Sequence, residues 1–135
     1  MGAVRRFAAL ALLLPLLAGC QQSAAHTAQY STGGDPADDP CSRVVSAIGY
    51  ADLLLRPRGE EDEQNFEDAV LGRLAEARGI TLQYGPALPD TLRTAVQTVK
   101  DTTAGLAKAD VPRERQVALL KDYRAAADQI EAGCA

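Results

Sequence analysis

Three cysteines, one histidine and eighteen acidic residues carry most of the reactive chemistry in this 135-residue chain, and their positions sort them into separate groups. The histidine, His26, stands among small and polar residues far from any apolar periodic stretch. A Ser-His-Asp or Cys-His relay needs its base packed against a nucleophile, so none can be assembled here. The cysteines and histidine lack zinc-ligand spacing, and neither a phosphate-cradling glycine loop nor a GxGxxG segment is present, so no metal or cofactor is expected. Glu60, Glu61, Asp62, Glu63, Glu67 and Asp68 form the densest acidic run. Two of them could in principle act as acid and base. The run also suits the positive end of a helix dipole (Glu60, Glu61, Asp62) and a solvated face (Glu63, Glu67, Asp68), and the chain is read on that basis as a non-enzyme. Asp35, Asp38 and Asp39 lack the alternating ligands, turn glycine and final Glu of a calcium loop.

Cys20 has a different context. Arg5 and Arg6 precede an apolar stretch from Phe7 to Leu17, and Leu17, Ala18, Gly19 and Cys20 follow in series. A charged leader and a short apolar run are the parts of an export signal. The run of about 11 residues is well short of the roughly 20 that span a bilayer as a helix. The segment 1–20 resembles the leader of bacterial lipoproteins, whose lipobox is Leu, a small residue, Gly or Ala, then Cys. That resemblance implies diacylglyceryl transfer to the Cys20 sulfur, cleavage between Gly19 and Cys20, and a membrane anchor on the extracytoplasmic face of the cell membrane. Two acyl chains hold firmly, since each buried methylene contributes about 0.8 kcal/mol. An ordinary signal peptide with Cys20 as a chance neighbour is the alternative, and Arg5 and Arg6 leave the export route open.

Residues 20–40 read as a flexible tether, rich in small polar residues with Gly33, Gly34, Pro36 and Pro40. Such a segment spans about 25 Å on average and about 70 Å when stretched. Loss of residues 1–19 removes Arg5 and Arg6 and no acid, which takes the net charge from -4 to -6. That balance argues against nucleic acid as a partner.

Residues 41–135 must then form the folded part. Val44, Ile48, Ala51 and Leu55, widened by Val45 and Leu54, predict a first helix over 42–55 that stops at Pro57 and Gly59. A second helix is expected from near Glu60 to Arg78, with Phe66, Val70, Leu74 and Ala77 inward and Gly79 as a left-handed cap. Pro86 and Pro89 precede a third, in which Leu92, Ala95, Val96, Val99, Thr102, Thr103 and Leu106 form the stripe, ending near Ala109. Asp110 or Val111 should cap a fourth helix with Pro112 in its first turn and Val117, Leu120, Tyr123, Ala127 and Ile130 buried. No segment of similar length alternates with period two. The expected fold is all-α, an up-down-up-down four-helix bundle behind a signal peptide and tether.

With lipid on Cys20, Cys41 and Cys134 have only each other, and an exported domain permits the bridge. An even number of helices returns the chain to its starting end, where Cys41 and Cys134 can meet.

Two further features stand out. Gly49 lies in mid-helix beside Tyr50, which suggests close approach of a neighbouring helix or of a partner's backbone. Ile80, Leu82 and Tyr84 alternate with polar residues in what reads as a long loop, either plugging one end of the core or forming a recognition strip. The functional expectation is a membrane-anchored binding or interaction module with an envelope protein as partner. The alternative is a small-molecule or metal-binding lipoprotein that uses the bundle interior.

Overall fold

The computed structural model describes residues 38–135. The leader, the lipobox at Leu17, Ala18, Gly19 and Cys20, and all but the last residues of the tether lie outside the described residues. Four helices dominate: α1 (Pro40–Asp52), α2 (Asp68–Tyr84), α3 (Arg93–Leu106) and α4 (Arg113–Cys134). Short 3-10 turns at Glu61–Glu63, Gly85–Ala87 and Asp90–Leu92 join them, and there is no strand among the described residues.

Helix α1 starts two residues earlier than expected because Pro40 and Asp39 make a good N-terminus. Pro40 occupies the first turn, where a missing N–H costs nothing. Asp39 caps it, accepting from the Ser42 N–H at 2.9 Å and the Ser42 hydroxyl at 2.7 Å. These bonds to the ionised form hold the Asp39 carboxyl below its ordinary range. Val44, Ala47, Ile48 and Ala51 form the buried face. The helix ends at Asp52 rather than Leu55, so Leu55 packs on the core from the loop while Leu54 is exposed instead of widening the stripe.

The second helix departs most from expectation. Glu60 lies outside it, Glu61–Glu63 form a separate 3-10 turn, and α2 begins only at Asp68. Phe66 therefore packs against the core from the loop. Gly79 does not cap anything, since Gly59 at φ 92° is the only described glycine with positive φ. The helix runs through Gly79 because burial of Thr81 and Tyr84 one and two turns beyond Ala77 outweighs a mid-helix glycine, which costs about 1 kcal/mol. It stops where Gly85 and Pro86 follow.

In α3 the expected stripe is buried from Ala95 to Leu106, while Leu92 is buried from the 3-10 turn before the helix, and the Thr102 and Thr103 hydroxyls donate to the carbonyls of Thr98 and Val99, each at 2.7 Å. The helix ends at Leu106, three residues short of Ala109. Asp110 turns the chain at φ 56°, and Pro112 takes the N-cap position of α4 instead of its first turn. All five residues expected inward on α4 are buried, joined by Leu119, Arg124 and Ala126.

The helices form a bundle: α1 packs on α2, α2 on α3, α3 on α4, and α4 returns to α1. Ile48, Leu74, Leu106, Leu120, Tyr123 and Ile130 are almost wholly buried between them. Each such side chain contributes roughly 1.5–3 kcal/mol. Gly133 lets Leu92 close over α4, since a Cβ there would stand 2.5 Å from Leu92 Cδ2.

Candidate functional site

Two clusters of polar chemistry stand out, one beside the cysteines and one under the loop between α1 and α2. The Sγ atoms of Cys41 and Cys134 lie at disulfide distance, 2.02 Å, with 5.5 Å between Cα atoms and 93 residues between positions. They join the first turn of α1 to the last turn of α4. Next to them, Asp38 Oδ2 accepts a long hydrogen bond from the Tyr84 hydroxyl at 3.5 Å and lies 3.7 Å from Arg43 Nε. The Arg43 guanidinium sits 5.5 Å from the centroid of the Tyr84 ring. Tyr84 thus ties the end of α2 to Asp38, two residues before α1 begins.

This placement revises the proposed strip. Ile80, Leu82 and Tyr84 belong to the last turns of α2, not to a loop. Helical geometry turns residues two apart by about 200°, so alternation cannot align them. Tyr84 is buried and Ile80 partly buried against the core, whereas Leu82 points outward. The plug is therefore Ile80 with Tyr84, and the three do not share one surface.

The second cluster was not anticipated. Arg124 lies on the buried stripe of α4, and Glu61 is equally buried beneath the loop. The Arg124 Nη1 donates to Glu61 Oε1 and, at 3.4 Å, to the Pro57 carbonyl, while Nη2 donates to the carbonyl of Arg56. Glu61 also accepts from the Gly59 N–H at 3.0 and 3.2 Å. The Arg124 hydrogen bond, then the bonds from backbone N–H groups, hold the Glu61 carboxyl down at about 2, so it is an anion at neutral pH and not a proton donor. The reading of Glu61 as a helix-terminus residue is thus replaced by a buried ion pair, because Arg124 must have a partner once α4 buries it. Position 124 follows Val117 and Leu120 at helical spacing, and a charge on an apolar stripe was the available signal.

More contacts fasten the same loop. Arg113 donates to the carbonyls of Asp62 and Gln64, and Gln64 accepts from the Arg56 N–H at 2.6 Å. Arg58 grips Asp128 with two bonds of 2.5 and 2.8 Å. Burial pushes the Asp52 carboxyl up, tempered by Arg58 and Arg124, and burial raises the Tyr123 hydroxyl strongly. These groups hold the loop in place against α4.

Elsewhere, an open groove of about 570 Å³ between the end of α3 and the start of α4 is edged by exposed Asp101, Lys108, Asp110 and Arg115. Among the described residues no cluster of three or more His, Cys, Asp or Glu is placed to hold a metal ion, and no helix is long and apolar enough to cross a membrane. No family model matches the chain, and neither a curated protein nor a solved structure shows significant similarity to it.

Proposed function

We propose that the chain is an exported lipoprotein anchored through Cys20 at the extracytoplasmic face of the cell membrane, and that its helical domain is a non-enzymatic binding or interaction module. The observation that supports this most is the pairing of Cys41 with Cys134. It suits an oxidising compartment, and it accounts for both domain cysteines, leaving Cys20 as the one thiol directly after the Leu17-Ala18-Gly19 series. The up-down-up-down order belongs to the same proposal. Supporting it, Arg43 meets Tyr84 while Arg73 meets Tyr50, so contacts run in opposite order along α1 and α2. The packed ring of helices and the junction of first and last turns agree with it.

Binding belongs on the surface in this reading, because Ile48, Leu74, Leu120 and Ile130 fill the bundle interior. The test is intact mass and detergent partitioning of the protein from its own membranes. The expected product begins at Cys20 with a diacylglyceryl-sized adduct, and Cys20→Ser should abolish adduct, cleavage and detergent partitioning. An unmodified mature chain that begins elsewhere would overturn the proposal.

A further inference from the structure

The bundle leaves an apolar patch uncovered at the end of α1 and in the turn after it. Tyr50 is 57% exposed, Leu53 77% and Leu54 42%, three of the four large hydrophobic side chains most open to solvent among the described residues. Ser46, Gly49 and Tyr50 lie on the exposed side of α1, and Leu53 and Leu54 continue the patch in the turn that follows its last residue, Asp52. Gly49 lies within this face. A Cβ at Gly49 would meet nothing within 4 Å, so no neighbouring helix of the bundle requires glycine there. Gly weakens a helix relative to Ala, and in this position it gains nothing from internal packing. What it leaves is a strip of bare helix backbone between Ser46 and Tyr50, open to close approach from outside.

The charges around the face define what would fit it. The Arg73 guanidinium lies 5.9 Å from the Tyr50 ring centroid, which places the first turns of α2 beside this part of α1. One turn further toward the start of α2 are Glu67 and Asp68, both exposed, and the connecting loop carries exposed Glu60, Asp62 and Glu63. The nearby cations are mostly engaged: Arg73 with Glu76 at 2.6 Å, Arg58 with Asp128, and Lys121 3.8 Å from Asp62. Arg56, together with Arg113, whose guanidinium donates to the carbonyls of Asp62 and Gln64, faces Glu60, Glu63, Glu67 and Asp68, so the surround is acidic on balance. An anionic lipid surface would be repelled by this surround, and so would a second copy bringing the same acids to a symmetric contact.

The geometry points to a basic amphipathic helix of an envelope protein as the occupant, its apolar stripe laid along Gly49, Tyr50, Leu53 and Leu54 and its Lys and Arg residues meeting Glu60, Glu63, Glu67 and Asp68. The contact would pair two apolar helix surfaces, with charge setting the partner's polarity. The inference rests on the proposed role as an anchored interaction module and names the chemistry of its partner.

The experiment places a photoreactive benzophenone side chain at Tyr50 in the full chain, with Leu82 on α2 as the control position, and irradiates the producing cells. The crosslinked peptide is mapped by mass spectrometry. The expected contact peptide has apolar residues at i, i+3 or i+4 spacing with net positive charge, in yield about tenfold above the Leu82 control. Leu53→Asp and Gly49→Gln should each cut that yield about tenfold, while thermal unfolding shows the domain still folded and Gly49→Gln no less stable than wild type. A crosslink to a second copy, to the chain's own residues 1–37, to lipid or to an acidic segment overturns the inference, as does a yield at Tyr50 no greater than at Leu82. Intact mass at Cys20 from the same cells separates the two proposals: lipid present without the basic helix sinks only this one, and the basic helix without lipid sinks only the anchor.

Discussion

The α1–α4 junction at Cys41 and Cys134 and the loop over residues 53–67 are both fastened to α4, but by different physics. At the junction one covalent pair closes 93 residues of chain and acts mainly on the unfolded ensemble, which loses freedom whatever the solvent does. Over the loop, Arg124, Arg113 and Arg58 reach carbonyls and carboxylates that are adjacent only in the native fold. The first restraint survives local unfolding and fails on reduction. The second survives reduction and fails when its charges change. A small domain with few aromatics can therefore be held at two places against two kinds of stress.

The largest expected effect breaks the covalent side. Cys134→Ser should lower unfolding free energy by up to about 4 to 5 kcal/mol in the chain-entropy model, with helicity retained under native conditions. Urea denaturation followed by circular dichroism measures it, and a loss near zero would show that the two ends stay together without the bond. Next comes Arg124→Ala, which leaves Glu61 buried without its cation. Its expected signature is local: protease cleavage within residues 56–64 and faster amide exchange there. A uniform drop in stability with the loop still protected would mean that the remaining arginines suffice.

The stripes of α3 and α4, and Val44, Ile48 and Ala51 of α1, could be read directly because their apolar residues recur with period 3.6 and nothing competes with that signal. The pairing of Cys41 with Cys134 followed from counting. The end of α2 could not be read in the same way. Gly79 with Ile80 has the local chemistry of a cap, and only tertiary burial of Thr81 and Tyr84 carries the helix past it. The Glu61–Arg124 pair depends on how a loop folds back over a helix 63 residues away, which no local window contains. The exposed patch at Tyr50, Leu53 and Leu54 was legible only in part, because the expected helix ran to Leu55 with Leu54 inward, whereas α1 ends at Asp52 and leaves Leu53 and Leu54 in the turn after it.

A smaller effect separates the two restraints by pH. The Glu61 carboxyl is held at about 2 in the fold against an ordinary value of 4.5. A depressed acid contributes stability that is complete above its unfolded value and is lost as pH falls from about 4.5 towards 2. Denaturation midpoints across that window should fall for wild type and fall less steeply for Glu61→Gln, which begins lower at neutral pH. The Cys134→Ser chain should show the same pH slope as wild type, and a changed slope would mean that junction and loop are coupled. The smallest effect is Gly79→Ala, where a Cβ meets nothing within 4 Å. It should stabilise by about 0.5–1 kcal/mol in thermal melts, and a destabilisation would contradict the continuous α2 described above.

Because the sulfurs of Cys41 and Cys134 join positions 93 residues apart, everything between them forms a closed ring of chain. A protease that cuts once, at Asp110 or in the loop after Asp52, opens the ring without dividing it. The cut molecule keeps its mass on a nonreducing gel, apart from one added water, and both pieces stay joined to the chain that precedes Pro40. Release of any part of the ring takes a second cut within it or a reductant, so the surface loops can be nicked without shedding the domain.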